Sequence, residues 1–223
     1  MPHRLKIPES ISVLGSLRAL TPHRRAPFAE LLRVAERQAN LLLTLRGIDL
    51  PPTPAEIVSE LPKITVEYTG SLVYGASFWD PSRQSWIIQL PHSEPPEHNR
   101  FTLAHEFKHI VDHGRQTQLY RGTARTNPSA QAEQAADYFA GCLLVPRIQL
   151  KTLWENGVTT TGELAEVFQV SEYTIGSRLQ QTGLARREHL RHLPSPVPVI
   201  RDEDDQSSED NPHAQAEEGA VPA

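Results

Sequence analysis

The stretch from Arg100 to His113 makes two demands of a single helix. Phe101, Ala104, Phe107, Ile110 and Val111 recur at three- and four-residue spacing and call for burial, while His105-Glu106-Phe107-Lys108-His109 sets two imidazoles one turn apart. At 3.6 residues per turn His105 and His109 stack on one face, where both rings reach one metal ion. Glu106 is then placed to take a proton from a water held by that ion. Any fold containing this helix has to bury its apolar side and still open its histidine side to a cleft. The rival reading of so short a motif is a surface helix with two solvated histidines.

A hydrolytic zinc site takes three protein ligands and leaves a fourth position for water. Cys142 is the only cysteine, which excludes an intrachain disulfide, Cys-based structural zinc and a dithiol redox pair, so metal chemistry falls to His and carboxylates. Ala130 to Leu144 reads as a second core helix through Ala136, Phe139, Ala140, Leu143 and Leu144, and it offers Glu133, 24 residues after His109, as the third ligand. Asp137 lies one turn further on the same face. There it is placed to accept a hydrogen bond from the other ring nitrogen of a ligating histidine, fixing its tautomer. Carboxylates at this spacing usually mark a solvated face, but the apolar content of the helix argues for two antiparallel core helices that bring the three ligands to one point.

The remaining pattern is of mixed period. Residues 1–26 are punctuated by proline and read as a flexible arm with at most a short ordered turn. From Pro27, Phe28, Leu31, Leu32, Ala35, Ala39, Leu42 and Leu43 mark a helix stopped at Gly47, and Thr53-Pro54-Ala55-Glu56 opens a short one running to about Leu61. Ile64, Val66 and Tyr68 alternate as a strand does; Leu72 to Trp79 and Ser85 to Leu90 read as two more, joined by a turn at Asp80-Pro81-Ser82-Arg83. The expected fold class is α+β, a small antiparallel three-stranded sheet packed with the ligand-bearing helices. A core over 27–146 is followed over 147–193 by a helix-turn-helix-like segment, with caps at Thr160-x-x-Glu163 and Ser171 and a seam of Ala165, Val170, Ile175 and Leu179.

Charge sorts the possible partners. Pro194 to Ala223 holds eight acids and one base, so residues 1–193 carry 21 bases against 19 acids and are nearly neutral. The acidic tail, 194–223, has neither aromatics nor an apolar period and is expected to be disordered. The presumptive recognition helix from Glu172 to Gln180 has one Arg and one Glu, and residues 147–193 hold six bases and five acids. That is far from a nucleic-acid footprint, and it favours a structural or partner-binding use of the motif over direct DNA binding. No apolar run approaches the ~20 residues of a membrane span, and the first 25 residues lack a signal-peptide apolar region. The expected location is the cytoplasm.

Arg100-Phe101-Thr102-Leu103-Ala104-His105-Glu106 through His109, with Glu133-x-x-Ala136-Asp137-x-Phe139-Ala140-x-x-Leu143-Leu144-x-Pro146, resembles the two signatures of the ImmA/IrrE family of zinc metallopeptidases. The resemblance runs from about Pro27 to Leu184. It implies a gluzincin-like fold, Zn2+ held by His105, His109 and Glu133, and Glu106 as general base and proton shuttle. It further implies an endopeptidase that cleaves a helix-turn-helix repressor and so releases transcription in a stress or mobile-element response. Lys108 stands where the family often has Gly, which puts a long cation beside the site. His98, His113, Tyr120 and Tyr138 are candidates for a further oxyanion donor, and Ser85 to Leu90 is the expected strand for holding an extended peptide. The alternative is a non-catalytic DNA- or protein-binding regulator with a structural or vestigial metal site.

Overall fold

The computed structural model describes residues 12–70 and 74–185. The acidic tail and Leu72 lie outside the described residues. The element order is α1 (Val13–Ala19), α2 (Phe28–Arg46), α3 (Glu56–Ser59), β1 (Ile64–Thr69), β2 (Ala76–Asp80), β3 (Ser85–Pro91), α4 (Pro96–Asp112), α5 (Gln116–Leu119), α6 (Pro128–Leu144), α7 (Arg147–Glu155), α8 (Thr161–Phe168) and α9 (Glu172–Thr182). The class is α+β.

α6 is the central helix, packed on α2 on one side and on α4 on the other. It starts at Asn127, whose side chain accepts from the Ala130 N–H, with Pro128 at the first helical position. α2 buries Leu31, Val34, Ala35, Ala39, Leu42 and Leu43, and Gly47 ends it in the left-handed region at φ 68°, a conformation glycine adopts without a Cβ clash. Of these, Ala35, Ala39, Leu42 and Leu43 join Leu103, Phe107, Ile110, Phe139 and Leu143 in the main core.

Residues 13–19, within the stretch expected to be an irregular arm, form α1. Ser12 caps it and Leu17 is fully buried. Arg18 reaches across to donate to the carbonyls of Ile110 (2.7 Å) and Val111 (3.1 Å) in the last turn of α4, where carbonyls run short of helical N–H donors. A single arginine in a proline-punctuated run carries no sequence signal for that role.

The sheet has the order β1-β3-β2. β2 and β3 form the expected antiparallel hairpin, with Asp80 Oδ1 accepting from the Ser82 and Arg83 N–H groups in the turn. β1, however, runs parallel to β3, with Ile64 opposite Trp86 and Thr69 opposite Pro91. The sheet is therefore mixed rather than antiparallel throughout. Two-residue alternation shows that a strand has two faces, and the short turn fixes only the β2–β3 pair; neither says which edge of β3 receives the first strand. β3 is the central strand, buried along nearly its whole length.

Over 147–185, the described part of the helix-turn-helix-like segment expected at 147–193, the two capped helices are present. Thr160 and Ser171 cap α8 and α9, and Ala165, Val170, Ile175 and Leu179 lie together in a second core with Leu144, Leu150 and Phe168. Two arginines tie this core to the first. Arg100 of α4 donates to the carbonyls of Thr53, Phe168 and Gln169. Arg178 of α9 is 1% exposed, donates to the Val145 carbonyl (3.1 Å) and to Gln181 Oε1 (2.8 Å), and lies over the Tyr138 ring. Gly141 admits it, because a Cβ there would come within 3.0 Å of Arg178 Cδ. The only base on α9 thus faces inward, leaving Glu172, Tyr173, Gln180 and Gln181 as its exposed residues.

Removing a buried, hydrogen-bonded charge costs about 3 kcal/mol or more. Arg178→Ala is expected to lower the unfolding midpoint by roughly 6–12 °C, against a change of about 1 °C for the exposed Tyr173→Ala on the same helix. Thermal unfolding followed by circular dichroism checks this; equal shifts would contradict the interior role of Arg178.

Candidate metal centre

α4 and α6 bring the sequence-designated residues together. His105 Nε2 and His109 Nε2 are 3.0 Å apart, Glu133 Oε2 is 3.2 Å from the first and Glu133 Oε1 is 3.3 Å from the second. Metal bonds of about 2.0–2.1 Å at tetrahedral angles place neighbouring donor atoms about 3.3 Å apart. The three side chains are therefore spaced as one ion would space them. His105 Nδ1 lies 2.8 Å from Asp137 Oδ1, the second ring contact expected of Asp137. With a hydrogen on Nδ1 pointing to that carboxylate, the lone pair of Nε2 is turned to the shared point. The donor set fits a zinc ion.

Charge in the cluster follows from the same contacts. Burial alone would lower the pKa of His105, but the hydrogen bonds to Asp137 and Glu133 and the charges of Asp137 and Glu106 outweigh it and raise the value to about 9. Burial would raise the Glu133 carboxyl; the hydrogen bonds from both histidines outweigh that and hold it well below the usual carboxylate range. Without metal, a proton on His105 offsets the carboxylate beside it, so metal and proton compete for one place.

Glu106, 2% exposed, borders the same cleft of about 580 Å³ as His109 and Glu133. Opposite it, Ser77 of β2 donates from its hydroxyl to Glu106 Oε2 at 2.8 Å. Ser77 was not singled out by sequence, although the small-residue run Gly75-Ala76-Ser77 ahead of two aromatics marks a strand end over which something packs closely.

Lys108 does not stand beside the site. It is buried on another face of α4, donating to Asp112 Oδ1 at 2.5 Å, while the Tyr120 hydroxyl donates to Asp112 Oδ2 at 2.5 Å. Burial lowers the Lys108 pKa and the Asp112 charge acts against it; burial and then Asp112 raise Tyr120 strongly. The signal was the Lys-to-Asp spacing of four residues, which puts both on one helical face. Of the four oxyanion candidates only Tyr120 lines the cleft, and its hydroxyl is directed to Asp112. His98 is exposed beside Glu94, His113 meets Trp86 edge-to-face with ring centroids 4.6 Å apart, and Tyr138 meets Glu36.

Two histidines and a glutamate converging from packed helices, with a second glutamate at the cleft, define a candidate mononuclear metal centre on an α+β framework. The chain belongs to the Peptidase M78 family: residues 63–180 match its IrrE N-terminal-like domain. No curated protein sequence matches. Among solved structures, a Mycobacterium tuberculosis transcriptional regulator is similar in fold, with a TM-score of 0.51 and 18% identity over 75% of this chain and 51% of that one. The chain thus spans about half the length of that protein. Among the described residues no helix is long and apolar enough to cross a membrane.

Three outcomes are expected. Because the His105 conjugate acid persists to about pH 9, apparent zinc affinity should keep rising about tenfold per pH unit from 7 to 9. Competition with a chromophoric chelator checks it, and a plateau above pH 6.5 would contradict it. In the metal-free protein the same shift has the opposite sign for folding: its stabilisation is complete below pH 6.5 and lost as pH rises through 9. Lys108→Met, which strands Asp112, should cost about 3–5 kcal/mol in urea unfolding; a loss under about 1 kcal/mol would show the pair to be solvated.

Proposed function

We propose that this protein is a cytoplasmic zinc-dependent endopeptidase with a regulatory role, cleaving a helix-turn-helix transcriptional repressor. The observation that carries this reading is the convergence of His105, His109 and Glu133 on one point of the cleft that Glu106 borders. Family membership supports it, and the chain of similar fold that is called a transcriptional regulator supports a regulatory setting.

Bound zinc would supply a Lewis acid that polarises the scissile carbonyl and lowers the pKa of water. His105, His109 and Glu133 hold it, and Asp137 keeps His105 in the ligating tautomer. Glu106 takes the proton of the attacking water and passes it to the leaving amine. The peptide-binding strand is reassigned from Ser85–Leu90 to β2. β3 is hydrogen-bonded on both sides, whereas β2 is an edge strand whose start lines the cleft and whose Phe78 and Trp79 are substantially exposed.

The rival reading is a non-catalytic DNA- or protein-binding regulator with a structural or vestigial metal site; its DNA-binding form loses its main charged contact because Arg178 is interior. Incubating the zinc-loaded protein with a candidate helix-turn-helix repressor from an adjacent reading frame should yield two fragments whose masses locate the bond. Glu106→Gln should retain zinc and slow cleavage at least about 100-fold. An intact repressor after incubation with the unaltered protein, together with salt-sensitive duplex binding, would refute the peptidase reading.

A further inference from the structure

β2 is more than the rim of the cleft, because its start lies directly on α4. At Gly75 a Cβ would fall 2.2 Å from Thr102 Cγ2 and 3.3 Å from Glu106 Cγ, so a side chain there would have to displace Thr102 and crowd Glu106. Two residues on, and therefore on the same side of an extended chain, Ser77 Oγ stands 2.8 Å from Glu106 Oε2 and 3.4 Å from the Glu106 carbonyl. An ionised carboxylate only accepts hydrogen bonds, so a neighbour can fix its orientation only by donating one. The hydroxyl does so at the partly buried edge of the cleft, and a hydrogen bond to an ionised carboxylate is stronger than one between neutral groups.

We propose that Ser77 is a positioning residue for Glu106: its hydroxyl fixes the carboxylate in the orientation from which it takes and returns the proton. The close approach at Gly75 sets the strand at the height this contact needs. The inference rests on the peptidase reading above and adds that the strand bordering the cleft also aims the base. Holding a base to within a fraction of an ångström is worth an order of magnitude or more in rate.

The test uses the zinc-loaded full-length protein and the adjacent-frame repressor. Ser77→Ala should lower kcat about tenfold or more while KM stays within about twofold, with zinc content unchanged by elemental analysis. Ser77→Thr, which keeps the donor, should restore kcat to within about threefold. Ser77→Cys, nearly isosteric but a poor donor, replaces the alanine variant should that one not fold. Thermal unfolding supplies a readout apart from activity. Ser77→Ala should shift the midpoint down by about 3 °C in the native background and by less than about 1 °C beside Glu106→Ala, because the lost bond is then already absent.

A Ser77→Ala enzyme with native kcat, alongside an inactive Glu106→Gln, overturns the positioning role and leaves the peptidase reading standing. Equal midpoint shifts in the two backgrounds overturn it as well. A Glu106→Gln enzyme as active as the native one removes the role of Glu106 as base, and this inference with it.

Discussion

The contact between α4 and α6 is the condition on which everything else depends. Each helix must bury one stripe of apolar residues, Leu103, Phe107 and Ile110 on one and Phe139, Ala140 and Leu143 on the other. Burying those stripes against each other leaves the neighbouring stripes, His105 and His109 on one helix and Glu133 and Asp137 on the other, at a common edge. The hydrophobic effect thereby meets most of the cost of assembling a cluster of titratable groups that would not gather by themselves. α2 backs α6 from behind, and Arg18 closes the end of α4, so neither helix slides without exposing core or stranding a polar group.

Much of this was legible because helical spacing carries it. Two histidines four residues apart share a face in any helix, and Glu133 and Asp137 obey the same rule, so the sequence needed only the helices to be adjacent. What could not be read is what depends on non-local geometry. The direction of β1 is decided by which edge of β3 it reaches, which alternation does not encode. The environment of Lys108 depends on Tyr120, twelve residues away in a loop-bordered turn. Ser77 becomes meaningful only when β2 is laid over α4, and Arg178 reads as a surface base until Gly141 is seen to make room for it. Helical spacing located the core and the candidate ligands, and said little about which polar residues the fold draws inside.

The interior polar residues differ from the cluster at the edge. Lys108, Asp112 and Tyr120 satisfy one another away from water, and Asn99 donates to the Pro91 and Glu94 carbonyls at the start of α4. Such groups contribute little net stability when paired and cost much when one partner is lost. Their effect is to fix how α4 is rotated about its own axis, and with it the direction in which His105 and His109 project.

Arg178 makes the two cores inseparable in a mechanical sense. α6 carries Glu133 and Asp137 in its middle turns, and the carbonyl just beyond its end, at Val145, is held by a guanidinium delivered from α9. Cutting the chain near residue 146, where the pattern changes, would remove the arginine and leave that carbonyl and the space beside Gly141 open. The packing at the end of the helix that supplies the candidate carboxylates is thus completed by a side chain from the helix-turn-helix-like segment.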